Sequence, residues 1–238
     1  MDELLVALDV DSAAEARALS DRLRGLVGGF KIGSRLFTSH GPSIVEAIAA
    51  RGDRVFLDLK FHDIPTTVAG AVAAATRLGA WMVNVHASGG QAMMSAARDA
   101  AREEASRMSR PAPLVIAVTM LTSLNQQMLA EIGINDPVAA QVERLAALAQ
   151  ASGLDGVVAS PQEIALIRRR CGKHFAIVAP GIRGGGDAKG DQHRTMTARE
   201  ALAAGTSYLV VGRPIIAAPD PRAAAERFVA ECRAWQTP

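Results

Sequence analysis

The chain has 238 residues, of which 49% are apolar and 21% charged, and its formal net charge is +2. These proportions are typical of a soluble globular protein, and no run of basic residues indicates a nucleic-acid or membrane partner. Aromatic residues make up only 4% of the chain, which leaves few rings on which nucleic-acid bases could stack.

Short apolar runs alternate with alanine-rich segments of helical character from end to end. The runs are continuous rather than alternating, which is typical of parallel strands covered by helices. The predicted strands span residues 4–8, 29–32, 54–60, 80–86, 114–119, 156–159, 175–179 and 208–211. This pattern predicts an α/β protein with a (β/α)₈ TIM barrel, forming a single domain over residues 1–238. An open doubly wound sheet is the alternative, but no G-x-G-x-x-G follows the first strand.

Local capping signals mark several helix starts. Three pairs match the Ser/Thr-x-x-Glu capping box: Ser12 with Glu15, Ser160 with Glu163, and Thr197 with Glu200. Pro221 after Asp220 is typical of a first helical position. Pro65 ends the third strand, and Thr66 is expected to cap the helix that follows. A short extra helix is predicted around residues 126–132.

Cysteine usage and the first residues bear on location. Cys171 and Cys232 lie far apart and form no C-x-x-C pair, which predicts free thiols in a reducing cytoplasm. The chain starts with acidic and then apolar residues, without the basic segment of a signal peptide. No apolar run reaches the length of a membrane span. The expected location is therefore the cytoplasm, with no membrane partner.

The third predicted strand ends in a run of ionisable groups, with Asp58, Lys60, His62 and Asp63 in six residues. Because residues two apart share one face of a strand, Asp58 and Lys60 stand side by side. A folding core needs neither an acid nor an amine there. The pattern therefore predicts a functional site.

In barrel enzymes, functional groups gather at the C-terminal ends of the strands. This rule collects Asp9, Lys31, Asp58, Lys60, Asn84, His86, Thr119, Thr122, Arg183, Gly212 and Arg213. The first three strands thus bring two carboxylates and two ammonium groups together, and opposite charges lower the cost of partial burial. The alternative is an ion-pair network that only ties the strand ends together.

Two other kinds of site use the same residue types. Ligands for a metal would come from Asp9, Asp58, His62, Asp63 and His86. The interleaved lysines count against a metal, because an ammonium repels a bound cation. A Schiff-base lysine needs a depressed pKa, whereas neighbouring carboxylates keep Lys60 protonated. Lys60 is therefore better suited to donate a proton or to stabilise developing negative charge.

The last two strands are followed by candidates for an anion site. Arg183 follows the seventh strand, and Gly212-Arg213 ends the eighth. Barrels often bind phosphate at these two loops, and a guanidinium can hold two phosphate oxygens. Gln192 lies in the glycine-rich loop 183–192, from which it can reach the same ligand. Ordinary turns with solvent-facing arginines are the alternative.

The segment Asp58-Leu59-Lys60-Phe61-His62-Asp63-Ile64-Pro65 resembles the D-x-K-x-x-D motif of the orotidine 5′-phosphate decarboxylase family. Further blocks resemble that family in the same order over nearly the whole chain, and the likeness is closest to the bacterial branch. They are Val6-Ala7-Leu8-Asp9, Phe30-Lys31-Ile32-Gly33, Val83-Asn84-Val85-His86-Ala87, Val118-Thr119-Met120-Leu121-Thr122-Ser123, Pro180-Gly181-Ile182-Arg183, Gly190-Asp191-Gln192 and Val211-Gly212-Arg213-Pro214.

The resemblance implies an enzyme that converts orotidine 5′-monophosphate to uridine 5′-monophosphate and CO₂, the last step of de novo pyrimidine synthesis. No metal or organic cofactor is implied. Lys60 would be the proton donor to C6, in an array with Asp58 and Lys31, within a homodimer whose active sites are shared. Asp63 and Thr67 would reach the neighbouring subunit's site. The other implied contacts are Asp9 and Lys31 to the ribose, Thr122 and Ser123 near the base, and Arg183, Gln192, Gly212 and Arg213 to the phosphate.

Two alternatives stay open at this point. The chain could be another sugar-phosphate barrel enzyme, of the hexulose-phosphate synthase or pentose-phosphate epimerase type. It could also be a non-catalytic protein that binds nucleotide phosphates.

Overall fold

The computed structural model describes residues 2–184 and 196–236. Its strands are β1 (Leu4–Ala7), β2 (Gly29–Gly33), β3 (Val55–Phe61), β4 (Met82–His86), β5 (Leu114–Val118), β6 (Gly156–Val158), β7 (Ala176–Pro180), β8 (Ile182–Arg183), β9 (Met196–Thr197) and β10 (Tyr208–Val211). Eight parallel strands close into a barrel in the order β1-β10-β7-β6-β5-β4-β3-β2. The short strands β8 and β9 pair with each other outside it. The predicted (β/α)₈ barrel is confirmed.

Helices follow the barrel strands and cover the outside. They are α1 (Ala13–Leu23), α2 (Ser34–His40), α3 (Ser43–Ala49), α4 (Pro65–Arg77), α5 (Gly90–Arg107), α6 (Gln126–Glu131), α7 (Val138–Ala151), α8 (Ile164–Cys171), α9 (Ala198–Ala203), α10 (Arg213–Ile216) and α11 (Pro221–Gln236). Within residues 2–184 and 196–236, none of them combines the length and the apolar character that crossing a membrane requires.

Two apolar layers hold the barrel together, because successive side chains of a strand point to opposite faces. Leu4 and Val6 of β1 pack outward in the large core between strands and helices. Leu5 and Ala7 point into the barrel. The interior cluster is formed by Leu5, Ala7, Phe56, Met82, Ile116, Val178 and Val210. This plug fills the middle of the barrel and forms the floor beneath its C-terminal mouth.

Most of the predicted local signals are confirmed. The Ser12 hydroxyl accepts a hydrogen bond from the backbone N–H of Glu15 at 3.1 Å, and α11 begins at Pro221. The extra helix predicted around residues 126–132 is α6. The cap predicted at Thr66 is wrong, because α4 already begins at Pro65 and its N-cap residue is Ile64. Proline suits the first helical position since its φ is fixed and its missing N–H would have no partner there.

Candidate active site

A cavity of about 470 Å³ opens at the C-terminal ends of the barrel strands. Its floor is the interior apolar cluster, including Phe56, Val178 and Val210. Eight of the predicted site residues line it: Asp9, Lys31, Asp58, Lys60, Thr122, Arg183, Gly212 and Arg213. An apolar pocket with a few convergent polar groups is the usual form of a small-molecule site.

Four charged side chains from the first three strands alternate in sign along one wall of this cavity. Lys31 Nζ lies 3.1 Å from Asp9 Oδ1 and 3.3 Å from Asp58 Oδ2. Lys60 Nζ lies 2.7 Å from the other oxygen, Asp58 Oδ1. Asp58 thus bridges the two ammonium groups. The order around the wall is Asp9, Lys31, Asp58, Lys60.

The array stabilises its own charged state. Burial alone lowers the pKa of Lys31, but the negative charges of Asp58 and Asp9 outweigh it, so the pKa of Lys31 is raised. Burial likewise raises the pKa of Asp58, yet the ammonium groups of Lys31 and Lys60 outweigh it and the pKa of Asp58 is lowered. At neutral pH, Lys31 is therefore a cation and Asp58 an anion.

The backbone of β3 is irregular where it carries Lys60. Leu57 pairs with Val83 of β4, but the next pair is Phe61 with Val85, so β3 advances four residues while β4 advances two. Lys60 lies in this bulge with φ +54°, in the left-handed region that residues with a Cβ rarely adopt. Sequence reasoning missed this feature, since neither glycine nor asparagine marks the position.

Asn84 of β4 fills the gap in the bulge. It has no exposed surface. Its Oδ1 accepts a hydrogen bond from the backbone N–H of Lys60 at 2.8 Å, and its Nδ2 donates to Asp58 Oδ1 at 2.7 Å. The strand-end rule placed Asn84 at the barrel mouth but assigned it no role. Only the structure shows that it contacts both members of the Asp58–Lys60 pair.

His86, at the end of β4, lies beside the array. Its ring centroid is 5.3 Å from that of His62. Burial, followed by the nearby charges of His62 and Lys60, lowers the pKa of His86, and Asp58 only partly opposes this. His86 is therefore neutral at physiological pH. In the described part of the chain, no three His, Cys, Asp or Glu side chains are grouped so as to hold a metal ion.

Two arginines, Arg183 and Arg213, line the same cavity as the charged array. Arg183 follows the turn at Gly181, whose φ of +84° is readily adopted by glycine, and its Nη1 donates to the carbonyl of Ile182 at 2.9 Å. Arg213 begins α10 directly after Gly212. Two arginines in one cavity favour an anionic ligand there. Gln192, the third predicted anion contact, lies outside the described residues.

The family model described as "Orotidine 5'-phosphate decarboxylase / HUMPS family" matches residues 2–228. The chain belongs to this family. It is 57% identical over 231 residues to the orotidine 5′-phosphate decarboxylase of Moorella thermoacetica, covering 97% of this chain and 92% of the relative. It is 54% identical over 232 residues to that of Syntrophotalea carbinolica, covering 98% of this chain and 95% of the relative.

Among solved structures, the chain resembles the crystal structure of orotidine 5′-phosphate decarboxylase from Lactobacillus acidophilus. The TM-score is 0.87 at 35% identity, and the match covers 98% of this chain and 99% of the other. The barrel and nearly the whole chain therefore follow the family's architecture.

Three residues of the family resemblance lie away from the main cavity. Asp63 and Thr67 are exposed and are not among the described residues that line it. Asp63 Oδ1 accepts a hydrogen bond from the backbone N–H of Ile64 at 2.7 Å, and Ile64 is 65% exposed. Ser123 lines a neighbouring cavity of about 580 Å³, which it shares with Thr122.

Sequence reasoning missed some residues of the cavity. Arg35 lines it and forms an ion pair with Asp11. It follows β2 by two residues, so the strand-end rule would have found it if extended into the loop. Gly33 makes room for the array, since a Cβ there would lie 3.0 Å from Lys31 Nζ and 3.4 Å from Asp9 Oδ1. That requirement carries no signal in a single sequence.

Proposed function

We propose that this protein decarboxylates orotidine 5′-monophosphate to uridine 5′-monophosphate and CO₂, the last step of de novo pyrimidine nucleotide synthesis. The observation that carries the proposal is the Lys60 ammonium, held at the cavity by Asp58 at 2.7 Å. Membership of the family and relatives of this name at 54 to 57% identity support it. One (β/α)₈ domain carries the whole activity.

The decarboxylation develops negative charge at C6, where the Lys60 ammonium can stabilise it. The bond between C6 and the carboxylate breaks, CO₂ leaves, and the electron pair stays on C6 in the plane of the ring. The Lys60 ammonium stabilises that pair as it forms and then transfers a proton from Nζ to C6. The neutral amine regains a proton from solvent. A unit charge pair about 4 Å apart at an effective dielectric near 20 interacts by roughly 4 kcal/mol, so Lys60 supplies only part of the acceleration.

The other members of the array prepare Lys60 and hold the sugar. Asp58 accepts a hydrogen bond from Lys60 Nζ at 2.7 Å and so directs the ammonium at C6. Lys31 keeps Asp58 ionised from the opposite side, at 3.3 Å. Asp9 is 47% exposed at the mouth and is available to a ribose hydroxyl, together with Lys31. The charged residues therefore stabilise one another and also act on the substrate.

The remaining contacts bind the phosphate and the base of the nucleotide. Arg183 and Arg213 take the phosphate, with the backbone at Gly212 and the side chain of Gln192. Thr122 and Ser123 lie near the base. Binding energy from the phosphate, remote from C6, contributes to the chemical step because it orients the reacting atoms under Lys60.

Asp63 and Thr67 complete the site of a second subunit in a homodimer. Their exposure beside the apolar side chain of Ile64, which is 65% exposed, supports this assignment. In the dimer, Lys60 of each subunit then lies between its own Asp58 and Asp63 of the partner subunit.

The test is to follow the loss of orotidine 5′-monophosphate absorbance with purified protein in the presence of a metal chelator. The expected result is full turnover, because the proposed reaction uses no metal or organic cofactor. Turnover of a phosphosugar that requires added divalent metal would instead support the hexulose-phosphate synthase or epimerase type. Binding of uridine 5′-monophosphate without decarboxylation would support a non-catalytic binding protein.

The cytoplasm is the proposed location. Cys171 and Cys232 are both free and buried, which supports a reducing compartment.

A further inference from the structure

Asn84 is a polar side chain that the proposed reaction does not use, and it is fully buried. Burying an amide is costly unless its donor and acceptor both find partners. Here they do, since Oδ1 accepts from the N–H of Lys60 and Nδ2 donates to Asp58 Oδ1. Both partners belong to the charged array, so the amide of Asn84 is tied to the two residues nearest the proposed chemistry.

The hydrogen bonds to Asn84 lie at the point where the backbone ladder between β3 and β4 is interrupted. Between the pairs Leu57–Val83 and Phe61–Val85, the ladder between β3 and β4 is interrupted. The N–H of Lys60 falls in that interval, and the side chain of Asn84 supplies its acceptor. A left-handed φ of +54° is unfavourable for a residue with a Cβ, so it persists only where its surroundings impose it.

We propose that Asn84 is a positioning residue that holds the backbone of Lys60 in its left-handed conformation and so aims the ammonium at Asp58 and the cavity. The catalytic consequence rests on the proposed decarboxylase function. Asp58 Oδ1 accepts from both Lys60 Nζ and Asn84 Nδ2, while Asn84 Oδ1 accepts from the Lys60 N–H, which closes a ring of three hydrogen bonds.

The chemistry of this ring requires an amide. A carboxylate at position 84 would accept from the Lys60 N–H but would offer no donor to Asp58. A leucine would leave the partly buried N–H of Lys60 without its acceptor. Asparagine supplies one donor and one acceptor at this reach.

The first experiment compares Asn84→Ala with Ser152→Ala in steady-state decarboxylation, at a temperature where both are folded. Ser152 is a matched control because it is buried and its hydroxyl donates to the carbonyl of Leu148 at 2.8 Å, away from the cavity. Asn84→Ala is expected to lower kcat about 100-fold through misplacement of Lys60. Its affinity for uridine 5′-monophosphate is expected to stay near normal, because Asn84 is not among the described residues lining the cavity. A kcat loss no larger than that of Ser152→Ala would overturn the proposal.

The second experiment tests the backbone conformation at Lys60 through thermal stability, without measuring activity. Lys60→Ala and Lys60→Gly are compared by thermal unfolding, each in the native and the Asn84→Ala background. Glycine adopts a positive φ without the penalty that a Cβ brings. Lys60→Gly should therefore be more stable than Lys60→Ala as long as Asn84 imposes that conformation. The Tm of Lys60→Gly minus that of Lys60→Ala is expected to be about 3 °C lower in the Asn84→Ala background than in the native background.

If the Tm difference between Lys60→Gly and Lys60→Ala were the same in both backgrounds, the proposal that Asn84 holds the backbone of Lys60 would be overturned. If the native protein did not turn over orotidine 5′-monophosphate, the proposed function would fail, and the unfolding comparison would still decide the role of Asn84. Normal native turnover with an unchanged Tm difference would overturn the role of Asn84 alone.

Discussion

Lys60 Nζ donates to Asp58 Oδ1 at 2.7 Å, although the two residues are only two positions apart on one strand. In a regular strand, such side chains emerge roughly 6.6 Å apart and nearly parallel. The left-handed backbone at Lys60 lies in the bulge that interrupts this regularity. The array therefore depends on a local distortion of β3 as well as on the alternation of its side chains.

Lys60→Ala is expected to reduce decarboxylation by at least about 10³-fold, because it removes both the stabilising charge and the proton donor. Binding of uridine 5′-monophosphate should persist, since the arginines are untouched. Stopped assays with concentrated enzyme measure the first effect, and calorimetric titration measures the second. Lys173→Ala is the control, because Lys173 is exposed. Near-normal turnover by Lys60→Ala would rule out its proposed role.

Arg213→Ala is expected to raise KM for orotidine 5′-monophosphate by about 10- to 100-fold, the value of a charge-assisted hydrogen bond. The kcat/KM for phosphate-free orotidine should barely change, since that substrate has no phosphate to lose contact with. Arg35→Ala serves as the comparison, because it removes another arginine of the same cavity that is paired with Asp11. Equal losses for the two substrates would show that Arg213 does not bind phosphate.

Mixing inactive Lys60→Ala and Asp63→Ala chains is expected to restore activity if sites are shared. Half of the dimers in an equal mixture are hybrids, and each has one site with both residues intact, so recovery should reach roughly a quarter of the native rate. Turnover is measured after subunit exchange has been demonstrated by mass spectrometry of differently labelled chains. No recovery despite exchange would mean that each site draws both residues from one chain.

Asp58→Asn is expected to lower the free energy of unfolding by about 3 kcal/mol at neutral pH, because it leaves the buried ammonium of Lys31 and the partly exposed ammonium of Lys60 without their shared partner. The pKa of Asp58 is lowered in the fold. Its contribution is therefore present above the unfolded pKa of about 4 and is lost as the pH falls through the folded value. Urea unfolding at several pH values should show the native and variant curves converging in acid.

Asp21→Asn is the control for that series, since Asp21 is half exposed and pairs with Arg51 at the surface. Its effect should be small at every pH, as for most surface pairs. A stability difference for Asp58→Asn that does not shrink below about pH 4 would contradict the assignment of its charge.

Gly33→Ala is expected to impair catalysis. The added Cβ would lie 3.0 Å from Lys31 Nζ, which is the flexible end of a side chain and gives way by moving out of the array. A displacement of this kind costs up to about 100-fold in kcat. Gly70→Ala is the matched control, because a Cβ there meets no atom within 4 Å. Native kcat in Gly33→Ala would show that the array tolerates the shift.

Much of the framework could be predicted from sequence because local rules govern it. Continuous apolar runs identified the eight barrel strands to within two residues. The alternation of side chains along β3 correctly placed Asp58 and Lys60 at the mouth, where both line the cavity. The Thr66 cap failed because a competing local signal, Pro65 at the helix start, was stronger.

The sequence by itself determined which charges stand at which strand ends, because strand period and barrel topology suffice for that. Only the tertiary structure decided how they contact one another. The left-handed conformation of Lys60 and its hydrogen bond to Asn84 join residues 24 positions apart. They depend on a shift of register between β3 and β4, and nothing in either strand's own sequence specifies such a shift. The space that Gly33 leaves for Lys31 likewise exists only once β1, β2 and β3 lie side by side.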